Sequence, residues 1–165
     1  MLPSIRMLEP EFIPEPYRRL LVHKDDMTPT LESAHSGRIH LRVIRYSVTT
    51  EFMKRMVVLE LDGAHKPVEM GAIQIHLGRL PDAARETVLA LREPFGGILR
   101  DEGILHTSQP TAYFEIAPDT LIAGALGANS AAGLYGRRNT IRDFEGRVLA
   151  EVVEILPPAP QEASL

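Results

Sequence analysis

Residues 38–45 read Arg38-Ile39-His40-Leu41-Arg42-Val43-Ile44-Arg45, with Ile39, Leu41 and Val43 alternating with Arg38, His40 and Arg42. A period of two marks a strand with one buried face, because successive side chains leave a pleated backbone on opposite sides. Arg45 continues the parity of the apolar set, so an uninterrupted strand turns this guanidinium inward, where an unpaired charge is costly. Working outward, Met56–Leu61 is a second strand, Asp62-Gly63 a turn and Pro67–Leu77 a third strand, which together make an antiparallel meander. Thr111–Ala117 reads as a further strand, and Tyr135–Phe144 and Arg147–Leu156 form a last hairpin around Glu145-Gly146.

Helical signals stand between and before these strands. Tyr17–Val22 completes a short helix after Pro10, Pro14 and Pro16, and Thr28-Pro29-Thr30-Leu31-Glu32 starts another, with Lys24–Met27 as the tight connection. Leu80-Pro81-Asp82 opens the clearest helix, where Ala83, Ala84, Thr87, Val88 and Leu91 repeat at three-to-four spacing before Pro94 ends it. Phe95–Leu99 is a short glycine-loosened segment, and Pro118–Gly133 carries no clear period. The expected fold is a single α+β domain: an antiparallel sheet of about six strands with helices on one side. Residues 1–16 are expected to be irregular, and 158–165, rich in proline, to be a disordered tail.

The chain has 165 residues, 44% hydrophobic and 24% charged, enough for one core and unlike a disordered chain. It contains no Cys, which excludes disulfides and thiolate metal sites. No stretch approaches the roughly 20 apolar residues of a membrane span, and no basic, apolar leader opens the sequence, so a cytoplasmic location is expected. Net charge is -4, the opposite of the basic footprint that nucleic-acid binding requires. Most of the 18 cations are arginine, the residue suited to bidentate recognition of carboxylate or phosphate.

The sequence holds no phosphate-binding loop, dinucleotide glycine fingerprint, His-Glu-x-x-His or nucleophile elbow. The histidines His23, His35, His40, His65, His76 and His106 lack metal-ligand spacing, so neither a metal nor a cofactor is expected. Charges of interior parity remain. Glu154 shares parity with Val148, Ala150, Val152 and Leu156, and Glu151 with Leu149, Val153 and Ile155. One of the two glutamates therefore lies on an apolar face, unless the sheet has one open, solvated face. A carboxylate in an apolar site is pushed up in pKa and can move protons near neutral pH. Arg137 and Arg138 face opposite sides of their strand, so only one of them can line a pocket.

Five segments in order, Leu20–Thr28, Pro94-Phe95-Gly96, Tyr113–Ile116, Leu134–Arg138 and Val152–Pro157, resemble the chorismate lyase family. Arg79-Leu80-Pro81 is similar to its divergent archaeal and actinobacterial branch, and the likeness spans residues 17–157. The resemblance implies a six-stranded antiparallel sheet whose helices enclose a ligand cavity. It implies a cofactor-free lyase that eliminates pyruvate from chorismate to leave 4-hydroxybenzoate or a related hydroxybenzoate, an activity of aromatic compound biosynthesis. Carried over by position, it makes Glu154 the acid/base, with Glu151 the alternative, and gives substrate-binding backbone contacts to Met27 and Leu105. The family's carboxylate-binding arginine is matched here by Ala72, which leaves Arg45 as the substitute and Arg137 or Arg138 next. The same fold also serves as the effector-binding domain of bacterial transcription regulators, so a non-catalytic protein binding a small aromatic carboxylate is the alternative, as is a lyase-like enzyme for another substrate. With about 36 residues before the first strand, no attached DNA-reading domain is expected.

Overall fold

The computed structural model describes residues 3–129, 131 and 133–160. Seven antiparallel strands form one sheet: β1 (Ser4–Leu8), β2 (Ile39–Val48), β3 (Phe52–Leu61), β4 (Pro67–His76), β5 (His106–Ala117), β6 (Leu134–Asp143) and β7 (Val148–Ile155). Their order is β1-β5-β6-β7-β4-β3-β2. Two meanders, β2-β3-β4 and β5-β6-β7, are thus joined through the β4–β7 pair. The α+β reading holds, with one strand more than expected. The extra strand is β1, so the start of the chain is not irregular throughout: Ser4–Leu8 pairs with Tyr113–Ala117. That partner lies over a hundred residues away, and no local pattern announces it.

Helices cover both faces rather than one. On the inner face lie α1 (Tyr17–Leu21), α2 (Met27–His35), α3 (Asp82–Leu89) and α4 (Phe95–Asp101). Leu21 and Leu31 pack with Leu59 and Leu156 at one end of this face. Ala84, Val88, Ile98 and Leu99 pack with Met53, Ile75, Ile141 and Ala150 at the other. The outer face receives α5 (Thr120–Leu126), whose Ile122 and Leu126 meet Met70, Phe114 and Ile155. This helix falls in the stretch that has no clear period. Its ends are nevertheless marked: Asp119 Oδ1 accepts from the Ile122 amide at 2.8 Å as an N-cap, and Gly127 closes it at φ 62°.

A β-bulge falls between Val43 and Arg45, so Val43 pairs with Val57 while Arg45 pairs with Met56. The extra residue turns Arg45 to the outer face. The inward placement expected from uninterrupted alternation is therefore corrected. At the other end of the chain, the amide of Ala159 donates to the Tyr17 hydroxyl at 2.6 Å, so residues 158–160 lie against α1. The rest of the expected tail, 161–165, falls outside the described residues.

Candidate ligand-binding site

The two apolar clusters of the inner face are separated by a belt of polar side chains. Two cross-strand rows build it. One is Val57, Gly71, Glu154 and Arg137; the next is Arg55, Ile73, Val152 and Asn139. Because the strands pair in register, each row projects to the same side, beneath α1–α4.

Arg137 is fully buried. Its Nε donates to Glu154 Oε2 at 2.5 Å, Nη1 to the carbonyls of Leu21 (3.2 Å) and His23 (2.9 Å), and Nη2 to that of Asp25 (3.1 Å). One guanidinium thus ties β7 to the loop between α1 and α2. The charge also reaches the His23 ring, which burial first and Arg137 second hold below its ordinary value. A second clasp joins this loop to the one after α4: His106 Nε2 meets Asp26 Oδ2 at 2.7 Å, while His106 Nδ1 faces the Ile104 carbonyl at 2.8 Å. The Asp26 hydrogen bond, outweighing desolvation, raises His106 above its usual range. A groove of about 520 Å³ lined by Lys24, Asp25, Asp26, His106, Ser108 and Gln109 opens outside the clasp.

Three buried side chains of this face hold polar atoms without a partner among the described residues: Arg55 Nε and Nη1, Glu69 Oε2 and Asn139 Oδ1. Arg55 is only 4% exposed, and its Nη2 donates to the Glu93 carbonyl at 2.9 Å. Burial lowers its pKa to about 10, so it stays charged at neutral pH. Asn139 uses Nδ2 on Ser108 Oγ at 2.6 Å. Burial raises Glu69 well above the ordinary carboxylate range, and the neighbouring Glu154 raises it further. Burial also raises Glu154, and Arg137 works against that rise. A charge on Glu154 thus disfavours ionisation of Glu69 beside it. Gly71 gives them room, since a Cβ there would stand 3.1 Å from Glu69 Oε1.

The residues singled out in the sequence divide between the faces. Glu154 and Arg137 meet in the inner belt, and Met27 is buried beside it at the start of α2. The open, solvated face that would have left both glutamates at the surface does not exist for Glu154. Leu105 is 74% exposed, next to the His106 clasp. Arg138 pairs with Val153 in the outer row that also holds Ala72 and Met56. Arg45 and Glu151 line an outer groove of about 440 Å³ with Lys54, Ala72 and Gln74. A side chain at position 72 therefore points away from Glu154, and Arg45 cannot replace an arginine beside it. Arg55, Glu69 and Asn139 were missed. The signal available for Arg55 was its shared parity with Met53 and Val57 on β3.

No protein-family model matches the chain, and no curated protein matches it. Solved structures do. PhnF from Mycobacterium smegmatis is similar with a TM-score of 0.64 at 17% identity, over 87% of this chain and 71% of that one. The effector domain of the same protein gives 0.58 at 16%, over 80% and 88%. The ligand-binding domain of a putative GntR-family transcriptional regulator from Bordetella bronchiseptica gives 0.57 at 14%, over 77% and 92%. These likenesses establish the fold, the one shared by chorismate lyases and regulator effector domains. They also correct the functional expectation: these structures include an effector domain and the ligand-binding domain of a putative transcriptional regulator, not a lyase or a protein of hydroxybenzoate synthesis, and Arg45, assigned to the substrate carboxylate, lies on the face opposite Glu154.

Proposed function

We propose that this chain is a small-molecule-binding domain of the regulator effector type, which takes a ligand bearing one anionic group between the inner face of the sheet and the clasped loops. The observation that carries the reading is Arg55: a charged side chain 4% exposed, with two nitrogens, Nε and Nη1, unpartnered among the described residues. A buried cation without a counter-charge costs several kcal/mol. An anion seated there removes that cost and accepts from both free nitrogens, and ligand hydroxyl groups would satisfy Asn139 Oδ1 and Glu69 Oε2. Glu154 and Arg137 form the fixed wall of the site and hold the α1–α2 loop over it. Among the described residues no helix is long and apolar enough to cross a membrane.

The test is a thermal-shift screen of small carboxylates, phosphate esters and inorganic phosphate. A ligand at a hundred times its Kd stabilises by about 2.7 kcal/mol, or roughly 5–11 °C for a chain of this size. Arg55→Met should abolish that shift while leaving the free protein at least as stable, because a half-satisfied charge is exchanged for an apolar side chain of similar length. An anion response that survives Arg55→Met, or no response to any anionic compound, refutes the reading.

A further inference from the structure

Two of the histidines that show no ligand spacing along the chain, His40 and His65, are brought together by the β2–β3 pair and the turn that follows it. His40 on β2 pairs with Glu60 on β3, and His65 in the β3–β4 turn comes over the same position. One ligand atom from each of His40, Glu60 and His65 lies within 4.8 Å of the other two. From this geometry we propose a binding site for a first-row divalent transition ion of the zinc type, with His40 Nε2, Glu60 and His65 as ligands.

The tautomer of His40 is prepared for that role. Its Nδ1 is 2.8 Å from Asp62 Oδ1, a contact that places the proton on Nδ1 and aims the Nε2 lone pair at the cluster. This is the carboxylate–histidine–metal arrangement, in which the outer carboxylate fixes the ring and raises its basicity. His40 Nε2 lies 3.6 Å from Glu60 Oε1. Tetrahedral ligands with bonds of about 2.0–2.1 Å stand roughly 3.3 Å from each other, so this pair needs only a slight closure. Glu60 is buried and therefore held in place, whereas His65 is exposed and free to close on an ion. His65 also adopts the left-handed conformation, φ 52°, with its amide bonded to the Leu61 carbonyl at 2.9 Å. Non-glycine residues in that conformation cluster at ligand clamps.

Three protein ligands leave a fourth position, which opens onto a groove of about 670 Å³ that also holds Tyr46 and Leu91. Arg42 opposes the ion. Its Nε donates to Glu60 Oε1 at 2.9 Å, the same oxygen that lies 3.6 Å from His40 Nε2, so a bound ion competes with a positive charge for that oxygen. Affinity is accordingly set by the balance between Arg42 and Asp62.

Isothermal titration of the tag-free chain with Zn2+ tests the site, with Co2+ absorption reporting tetrahedral ligation. The expected result is a single site of 1:1 stoichiometry. His40→Gln and His65→Gln should each weaken it at least tenfold, and Asp62→Asn about tenfold. Arg42→Gln should bind more tightly than the parent, and His35→Gln should leave binding unchanged. Unfolding temperatures within about 2 °C of the parent would show that the folds are intact. Absence of Zn2+ binding, or undiminished binding in the His40→Gln/His65→Gln double variant, overturns the proposal. A cluster that is only an ion-pair network predicts no gain from Arg42→Gln.

Discussion

Replacing Arg137 with methionine removes the tie between the sheet and the loop that covers the belt. The substitution deletes four hydrogen bonds from a fully buried guanidinium: one to Glu154 and three to the carbonyls of Leu21, His23 and Asp25. Breaking a buried ion pair on one side costs about 3–5 kcal/mol, because the remaining charge stays in low dielectric without a partner. Carbonyls that turn to water instead recover part of their own loss, so about 3–5 kcal/mol is the expected total for the single variant. Urea unfolding measures it, with an unchanged slope as evidence that the same surface is exposed. In temperature the loss is roughly 6–20 °C for a chain of this size. The deficit also depends on pH. Without Arg137 the Glu154 carboxyl loses both interactions that lower its pKa, the charge attraction and the hydrogen bond, so the variant should lose more stability as pH rises above the ordinary carboxylate value than below it. Adding Glu154→Gln should return more than 1 kcal/mol at neutral pH, since it removes the stranded charge. Hydrogen exchange should show residues 22–27 less protected in the single variant. A loss below about 1 kcal/mol, or full protection of that loop, would refute the assignment of Arg137 as its anchor.

Three further outcomes are expected. The Glu69 carboxyl is raised by burial and by Glu154, so the stability it permits is fully present below about pH 4.5 and declines as pH rises; Glu69→Gln should flatten this decline in a series of unfolding temperatures. His106 is raised from 6.5 by Asp26, so its clasp contributes fully below that value and is lost as pH rises through the folded pKa; His106→Gln should remove this step and leave residues 22–27 and 102–107 exchanging faster at pH 6. Gly136 lies where a Cβ would overlap the Glu154 carbonyl and the Phe114 ring, whereas nothing stands within 4 Å of one at Gly124 in α5. Gly136→Ala should therefore cost about 1–3 kcal/mol or more, and Gly124→Ala should stabilise by about 0.5–1 kcal/mol, both read from chemical denaturation.

The sequence by itself determined the elements whose signals are local. Alternation from Ile39 to Val43, the glycine turns and the spacing of Ala84 and Val88 specified strands, hairpins and a helix, because each depends on neighbours within a few residues. The six strands read in this way all exist, and the narrowing from Arg137 or Arg138 to a single inward arginine follows from strand geometry alone. What parity could not decide was which side is in. A side-chain period of two means that one inserted residue reverses everything beyond it, and the bulge at Ile44 does so for Arg45. Glu154 and Glu151 likewise carry the same local pattern, and only the placement of α1–α4 on one face and the open groove beside α5 on the other separates a buried carboxyl from an exposed one. The pairing of β1 with β5, the clasp of Asp26 with His106 and the approach of His65 to His40 join residues distant in the chain. Local propensities fix backbone conformation, but chemistry between distant side chains exists only after the sheet has chosen its strand order, and that choice belongs to the tertiary structure.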